Sequence, residues 1–387
     1  MPLDPTLYTA ALHAGRTPDP THGAICAPIV QSTTFVQPAV GVDRGFTYSR
    51  SSNPTVAALE ASLGALEDAQ AVAFGTGMAA ITALCLAHLR AGDRVLHSSV
   101  VYGGTVRLLR QVLGRFGVRA ESVDTSDIAA VREALKEPAA LLIVETPANP
   151  TLTLTDVSAV ADLCRAHGVL LAVDNTFLTP VLQRPFDLGA DLVLYSTTKY
   201  FDGHNATVGG AVLGRDPALV EPLRFVSNAV GFAQKPFEAW LTLQGIKTLP
   251  LRMERHCANA TVVAQWLERH PAIAGVAFPG LASFPQRALA ERQQDGPGGM
   301  VAFTVRGGVS AGVSLLNSLR LCALAENLGA AETLVTHPAS MTHADVPRAD
   351  RLAAGLSDGL VRLSVGLEDP SDLIADLDRA LHVARAA

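Results

Sequence analysis

Five times between residues 70 and 200 a short apolar run breaks off into polar residues, and this punctuation constrains the fold more than any other feature of the sequence. Ala71-Val72-Ala73-Phe74 gives way to Gly75-Thr76-Gly77, and Arg94-Val95-Leu96 to His97-Ser98-Ser99. Ala140-Leu141-Leu142-Ile143-Val144 gives way to Glu145-Thr146-Pro147, Val169-Leu170-Leu171-Ala172-Val173 to Asp174-Asn175-Thr176, and Leu192-Val193-Leu194-Tyr195 to Ser196-Thr197-Thr198-Lys199. Short runs rich in Val, Leu and Ile suit strands buried on both faces. Helical patterns lie between them, including Ala79 to Arg90 and Asp156 to His167. Successive β-α-β units build a largely parallel sheet whose polar strand ends meet at the carboxyl edge, where open α/β sheets bind ligands. The expected class is therefore α/β, with Asn149, Asp174 and Lys199 converging on one edge.

The rest of the chain bounds what can bind there. With 387 residues, 49 % of them apolar and 17 % charged, two compact domains with extensive internal or subunit burial are expected. Residues 1–55, rich in Pro, Gly, Ser and Thr, read as an extended arm ending in Asn53-Pro54-Thr55, with Thr55 capping the next helix. Residues 56–247 read as a large α/β domain. Residues 248–387 read as an α+β domain with a helix from Met253 to His270 and strands at Val276–Phe278 and Met300–Val305. A formal charge of −6 gives no reason to expect nucleic acid or an anionic membrane as partner. No apolar run approaches the ~20 residues of a membrane span, and the N-terminus lacks a secretory pattern, so a cytoplasmic location is expected. Five scattered cysteines without a CxxC pair suggest neither disulfides nor structural zinc, and His337 and His343 are wrongly spaced for a helical metal pair; no metal is expected.

Basic charge is carried mostly by arginine, and the four lysines are Lys136, Lys199, Lys235 and Lys247. Lys199 alone follows a polar strand end. There, partial desolvation lowers an amine pKa and frees it to form a Schiff base with an aldehyde. Asp174 ends a strongly apolar strand and needs a cationic partner, a part that a protonated pyridine nitrogen would serve. The turn Gly75-Thr76-Gly77-Met78 before a helix offers N–H groups to a phosphate. Its spacing also fits a dinucleotide fingerprint, but the next strand ends in His97-Ser98-Ser99 rather than the acid a ribose requires. Tyr102 beside Gly103-Gly104 suits stacking on a planar ligand. Arg362 in an apolar strand wants a bidentate carboxylate, from the protein or from a ligand. Tyr48 and Arg50 lie on the arm, so an anion site there would need the arm to fold back or to reach another subunit.

Together, Tyr48-x-Arg50, Gly77-Met78, Tyr102-Gly103-Gly104-Thr105, Glu145-Thr146-Pro147-x-Asn149-Pro150, Val173-Asp174-Asn175-Thr176-Phe177, Ser196-x-Thr198-Lys199-Tyr200, His337-Pro338-Ala339-Ser340-Met341-Thr342-His343 and Arg362-Leu363-Ser364-Val365-Gly366 resemble the Cys/Met-metabolism family of pyridoxal-phosphate enzymes. The resemblance covers essentially the whole chain. It implies a fold-type I, aminotransferase-like architecture, pyridoxal 5'-phosphate as cofactor, and a homotetramer built as a dimer of dimers. It implies that Lys199 carries the cofactor and moves protons, that Asp174 keeps the pyridinium protonated, and that Tyr102 stacks on the ring and takes part in acid–base steps. Gly77, Met78, Ser196 and Thr198 would hold the phosphate, joined by Tyr48 and Arg50 of a neighbouring subunit. Arg362, Ser340 and Asn149 would fix the substrate α-carboxylate. Arg107 and Glu326 match positions that suit the distal charges of cystathionine, which implies γ-chemistry of the cystathionine γ-lyase or γ-synthase kind. Methionine γ-lyase and O-acylhomoserine sulfhydrylase are the alternatives, and a dinucleotide-binding oxidoreductase a remote one. Gly104 stands where methionine γ-lyases typically carry cysteine, Ser52 where the family commonly has glycine, and Asn205-Ala206-Thr207 replaces the usual Ser-Asp.

Overall fold

In the computed structural model, which describes residues 6–344 and 346–386, the five punctuated runs all become strands of one sheet. Its strands are β1 (Gln70–Phe74), β2 (Arg94–Ser98), β3 (Arg119–Val123), β4 (Leu141–Glu145), β5 (Leu170–Asp174), β6 (Leu192–Tyr195) and β7 (Gly210–Gly214). They lie in the order β1-β7-β6-β5-β4-β2-β3. β7 alone runs antiparallel, to both β1 and β6, so the other six strands point one way. Alternate residues serve opposite faces: Val144, Val173, Val193 and Leu213 pack into one cluster, and Ile143, Ala172, Leu194 and Val212 into another. This two-sided burial explains why the runs are continuously apolar.

Helix Gly77–His88 follows β1, and the Thr76 hydroxyl caps it by accepting the Ala79 N–H at 2.9 Å. Helix Pro54–Glu67 covers the other side. Its cap is Asn53, not Thr55 as the sequence suggested, because Pro54 is pre-set for the first helical position. The Thr55 hydroxyl instead donates to the Pro28 carbonyl and accepts the Val30 N–H, both at 2.9 Å, which fastens the preceding segment. That segment is not extended throughout: helix Leu7–His13 buries Ala10 and Ala11, and is too short to declare itself by periodicity. Between Arg16 and Gln31 no strand or helix forms, and isolated bridges at Thr34–Tyr48 and Ala39–Val42 are the ladder contacts of the remainder.

A second sheet contains β8 (Ile273–Ala277), β9 (Met300–Val305), β10 (Ala323–Leu324), β11 (Leu334–Thr336) and β12 (Leu360–Ser364), ordered β10-β11-β12-β9-β8. β8 starts three residues before the expected strand and carries a bulge at Ile273/Gly275. Helix Leu249–Arg269 starts earlier than expected, with proline in its first turn. Arg362 sits in β12, in register with Thr336 and Ala302, and faces back toward the first sheet. Among the described residues no helix is long and apolar enough to cross a membrane, and no cluster of His, Cys, Asp and Glu could hold a metal ion.

Candidate active site

The carboxyl ends of β1, β4, β5 and β6 open into a cavity of about 490 Å³, closed from the other side by Glu326, Asn327, Thr342, His343 and Arg362. Lys199 stands one turn past β6. Burial, with Arg362 adding repulsion, brings its amine from 10.5 down to about 8. Its Nζ donates to Asn327 Oδ1 at 2.5 Å. Asp174 lies deep in the protein yet open to the cavity, accepts the Thr176 N–H at 3.0 Å and forms no ion pair among the described residues. Burial pushes its carboxyl upward, so a cation is what this recess lacks.

The cavity reaches the N-terminus of helix Gly77–His88, between Thr76, Gly77 and Met78 on one side and Ser196 and Thr198 on the other, a place suited to an anion. A Cβ on Gly77 would come within 3.1 Å of the Ser196 side chain, and one on Gly210 within 2.5 Å of the Thr76 carbonyl oxygen. The turn is therefore built to its backbone. Thr198 is less free than expected, since its hydroxyl donates to the Gly209 carbonyl at 3.1 Å and accepts the Gly209 N–H at 3.0 Å.

Tyr102 begins the short helix Gly103–Arg107 and lies half out of the wall. Gly104 lets its ring fold back, because a Cβ there would meet the Tyr102 ring at 2.4 Å and the Met78 sulfur at 2.8 Å. Arg107 ends that helix and lines the cavity, as does Glu326; both remain solvent-exposed. Arg362 is buried, and burial lowers its guanidinium to about 10. It donates to Asn149 Oδ1 and to the Asn327 carbonyl, each at 3.0 Å, while its Nε has no partner. No carboxylate of the described residues pairs with it, which leaves a fork suited to a ligand carboxylate.

Three of the expected residues lie elsewhere in this single chain. The Ser340 hydroxyl, on the short 3₁₀ turn Pro338–Ser340, bonds His337 Nδ1 at 2.8 Å and lies outside the lining. Tyr48 and Arg50 also lie away from the cavity. Arg50 donates to the backbone and side-chain oxygens of Asn228, both at 2.6 Å, and its guanidinium rests 5.6 Å from the Tyr48 ring centroid.

Comparison with known proteins decides the family. Residues 8–382 match the family described as Cys/Met metabolism PLP-dependent enzyme. The chain belongs to that family. It is 45 % identical to L-methionine gamma-lyase of Pseudomonas putida, over 98 % of each chain, and 45 % identical to cystathionine gamma-lyase of Bacillus subtilis, over 97 % of this chain and 98 % of the relative. The crystal structure of cystathionine gamma-synthase from Xanthomonas oryzae pv. oryzae in complex with aminoacrylate and cysteine superposes with a TM-score of 0.96 at 43 % identity, over 99 % of each chain. The fold is thus the fold-type I architecture and the protein is a PLP-dependent enzyme of C–S bond chemistry.

The Cys/Met-metabolism cofactor fits these residues. An aldehyde would meet the lowered amine of Lys199, a pyridinium Asp174, which has no ion pair among the described residues, and a phosphate the capped helix turn. The sequence left two residues without a role. Glu145 ends β4 as Asp174 ends β5, and its side chain is buried in the cavity wall. Asn327 joins Lys199, Arg362 and Asn205 through its side chain and carbonyl. Glu145 carried the same signal as Asp174, an acid at a strand end. Asn327 carried none, because its position depends on how the second sheet docks.

Proposed function

We propose that the protein acts at Cγ of a sulfur-containing or O-acylated amino acid with a charged far end, as a cystathionine γ-lyase or γ-synthase. The observation that carries this reading is the presence of Arg107 and Glu326 on the wall of the cavity that also holds Lys199 and Arg362. A guanidinium suits a distal carboxylate and a carboxylate suits a distal ammonium. The similarity to the P. putida L-methionine gamma-lyase favours methionine γ-elimination as the second reading.

When bound, the cofactor supplies an electron sink for charge developing on the substrate carbons. Lys199, whose burial lowers its pKa and so raises the fraction of neutral amine, would hold the aldehyde carbon covalently and carry protons between substrate carbons. Asp174 would keep a proton on the pyridine nitrogen. Gly77, Met78, Ser196 and Thr198 would hold the phosphate, and Tyr102 would stack on the ring and exchange protons at the reacting groups. Arg362, steadied by Asn149, would bind the α-carboxylate, with Ser340 contributing if its loop turns inward.

Tyr48 and Arg50 would complete the phosphate site of a neighbouring subunit in a homotetramer. Their distance from their own cavity and the exposed Ile25, Val36 and Val40 of the same segment support that arrangement. We assign residues 1–55 to the arm, 56–247 to the cofactor domain and 248–387 to the smaller domain, and place the enzyme in the cytoplasm. The test is a kinetic comparison of L-cystathionine, O-acyl-homoserines with and without L-cysteine, and L-methionine, read by 2-oxobutanoate and cystathionine. Cystathionine or an acyl-homoserine is expected to have the highest kcat/KM, and Glu326→Ala to reduce it by roughly tenfold. L-methionine as best substrate, with Glu326→Ala silent, overturns the reading.

A further inference from the structure

Glu145 is a buried carboxylate on the cavity wall that the reading above leaves without a task. It is 6 % exposed and paired in register with Asp174, so two acids lie side by side in a protein interior. Such a placement is unfavourable unless both oxygens are engaged. Both are: Oε2 accepts the backbone N–H of Tyr102 at 2.8 Å, and Oε1 accepts that of Asn149 at 3.0 Å. These amides belong to separate loops, one following β2 and one following β4. The first loop presents the Tyr102 ring. The second presents the Asn149 side chain, which receives Arg362 Nη1 at 3.0 Å.

We propose that Glu145 is a positioning residue that couples the two halves of the site, fixing Tyr102 for the cofactor ring and Asn149 with Arg362 for the substrate carboxylate. The inference rests on the roles given to Tyr102, Asn149 and Arg362 above. The geometry asks for a side chain with two acceptor oxygens. Two N–H donors converge on the side chain, and glutamine would meet one of them with its own NH₂. A single side chain thus sets the spacing between ring and carboxylate, which in a site of this kind governs whether the reacting bond is aligned.

The experiment compares Glu145→Gln and Glu145→Asp with Asn149→Ala, Arg362→Ala and the Glu145→Gln/Asn149→Ala pair in the full-length enzyme. Equilibrium dialysis of apoenzyme gives the Kd for pyridoxal 5'-phosphate, visible circular dichroism reports the ring environment, and kinetics per occupied site separate KM from kcat. Glu145→Gln is expected to weaken cofactor binding and to raise KM by on the order of tenfold each, and to change the visible dichroic band. In the paired variant KM should rise no further than in the worse single variant, since the two act through one contact. Glu145→Asp keeps both carboxyl oxygens but is one methylene short, and should fall between wild type and Glu145→Gln. It carries the same readings if the glutamine variant does not fold.

A lowered Tm with unchanged Kd, dichroism and KM would make Glu145 merely structural and overturn the inference, as would additive KM effects in the pair. Arg362→Ala tells the two levels apart. A raised KM there beside a silent Glu145→Gln defeats the inference alone, whereas an unchanged KM in Arg362→Ala overturns both it and the carboxylate assignment beneath it.

Discussion

The carboxyl edge of the large sheet and the N-terminal segment treat their functional side chains in opposite ways. At the sheet edge Lys199 and Asp174 are buried, as is Arg362 facing them from the second sheet, and the ionisation of all three is shifted by that burial. On the segment before Asn53, Tyr48 is 45 % exposed and Arg50 is tied to Asn228, with Val36 and Val40 almost fully open to solvent. One region gathers its polar side chains on a single cavity within its own chain. The other carries Tyr48 and Arg50 away from that cavity, the arrangement expected of a part that serves a second copy.

Removing Lys199 from the sheet-edge site is the most severe way to break the contrast. Lys199→Ala is expected to lose turnover by at least the roughly 10²–10⁴-fold that a positioned acid–base group contributes, with the circular dichroism of the fold retained. In the wild-type holoenzyme, borohydride reduction and peptide mapping should find the pyridoxyl group on Lys199; finding it on Lys136, Lys235 or Lys247 refutes the site.

A smaller effect is expected from the exposed region. A charge-assisted arginine–phosphate contact contributes about 1.5–3 kcal/mol, so Arg50→Ala should weaken cofactor retention by roughly ten- to a hundredfold in dialysis. Mixing Arg50→Ala and Lys199→Ala subunits at limiting cofactor sharpens the comparison. A hybrid has one site with an intact lysine and an intact arginine from the neighbour, so activity should return. If exchange is demonstrated and activity does not return, the segment serves its own chain.

The mildest test is pH. Burial favours the neutral amine of Lys199 and brings its pKa to about 8, so the rate of covalent cofactor uptake by apoenzyme should level off above pH 8. Below that the neutral fraction, and the rate, should fall about tenfold per pH unit. A rate that keeps climbing toward pH 10 would mean an ordinary, solvated lysine.

Much of the sheet edge was legible because burial on both faces writes itself into sequence as continuous apolar runs, and any polar residue that ends such a run is conspicuous. Asp174 and Lys199 stand out that way, and both line the cavity. Glu145 was conspicuous for the same reason, but its task depends on which amides approach it, and the loops of Tyr102 and Asn149 are far apart in sequence. Asn327 meets Lys199 through the docking of a second sheet, which no local pattern encodes. Ser340 and Arg50 belonged to recognisable motifs, yet short turns and an unladdered segment aim them by tertiary contacts that composition does not reveal. Thr55 illustrates the smallest scale of the same limit: proline one position before it moved the cap to Asn53.

The antiparallel strand β7 returns between β1 and β6, and places Gly210 where even one added carbon would collide with the Thr76 carbonyl. The anion turn is thereby clamped between two strands before any anion arrives. Ordering a free loop on binding costs about 1–2 kcal/mol per residue in lost backbone freedom. A turn already held by its neighbours is spared that loss when an anion binds it.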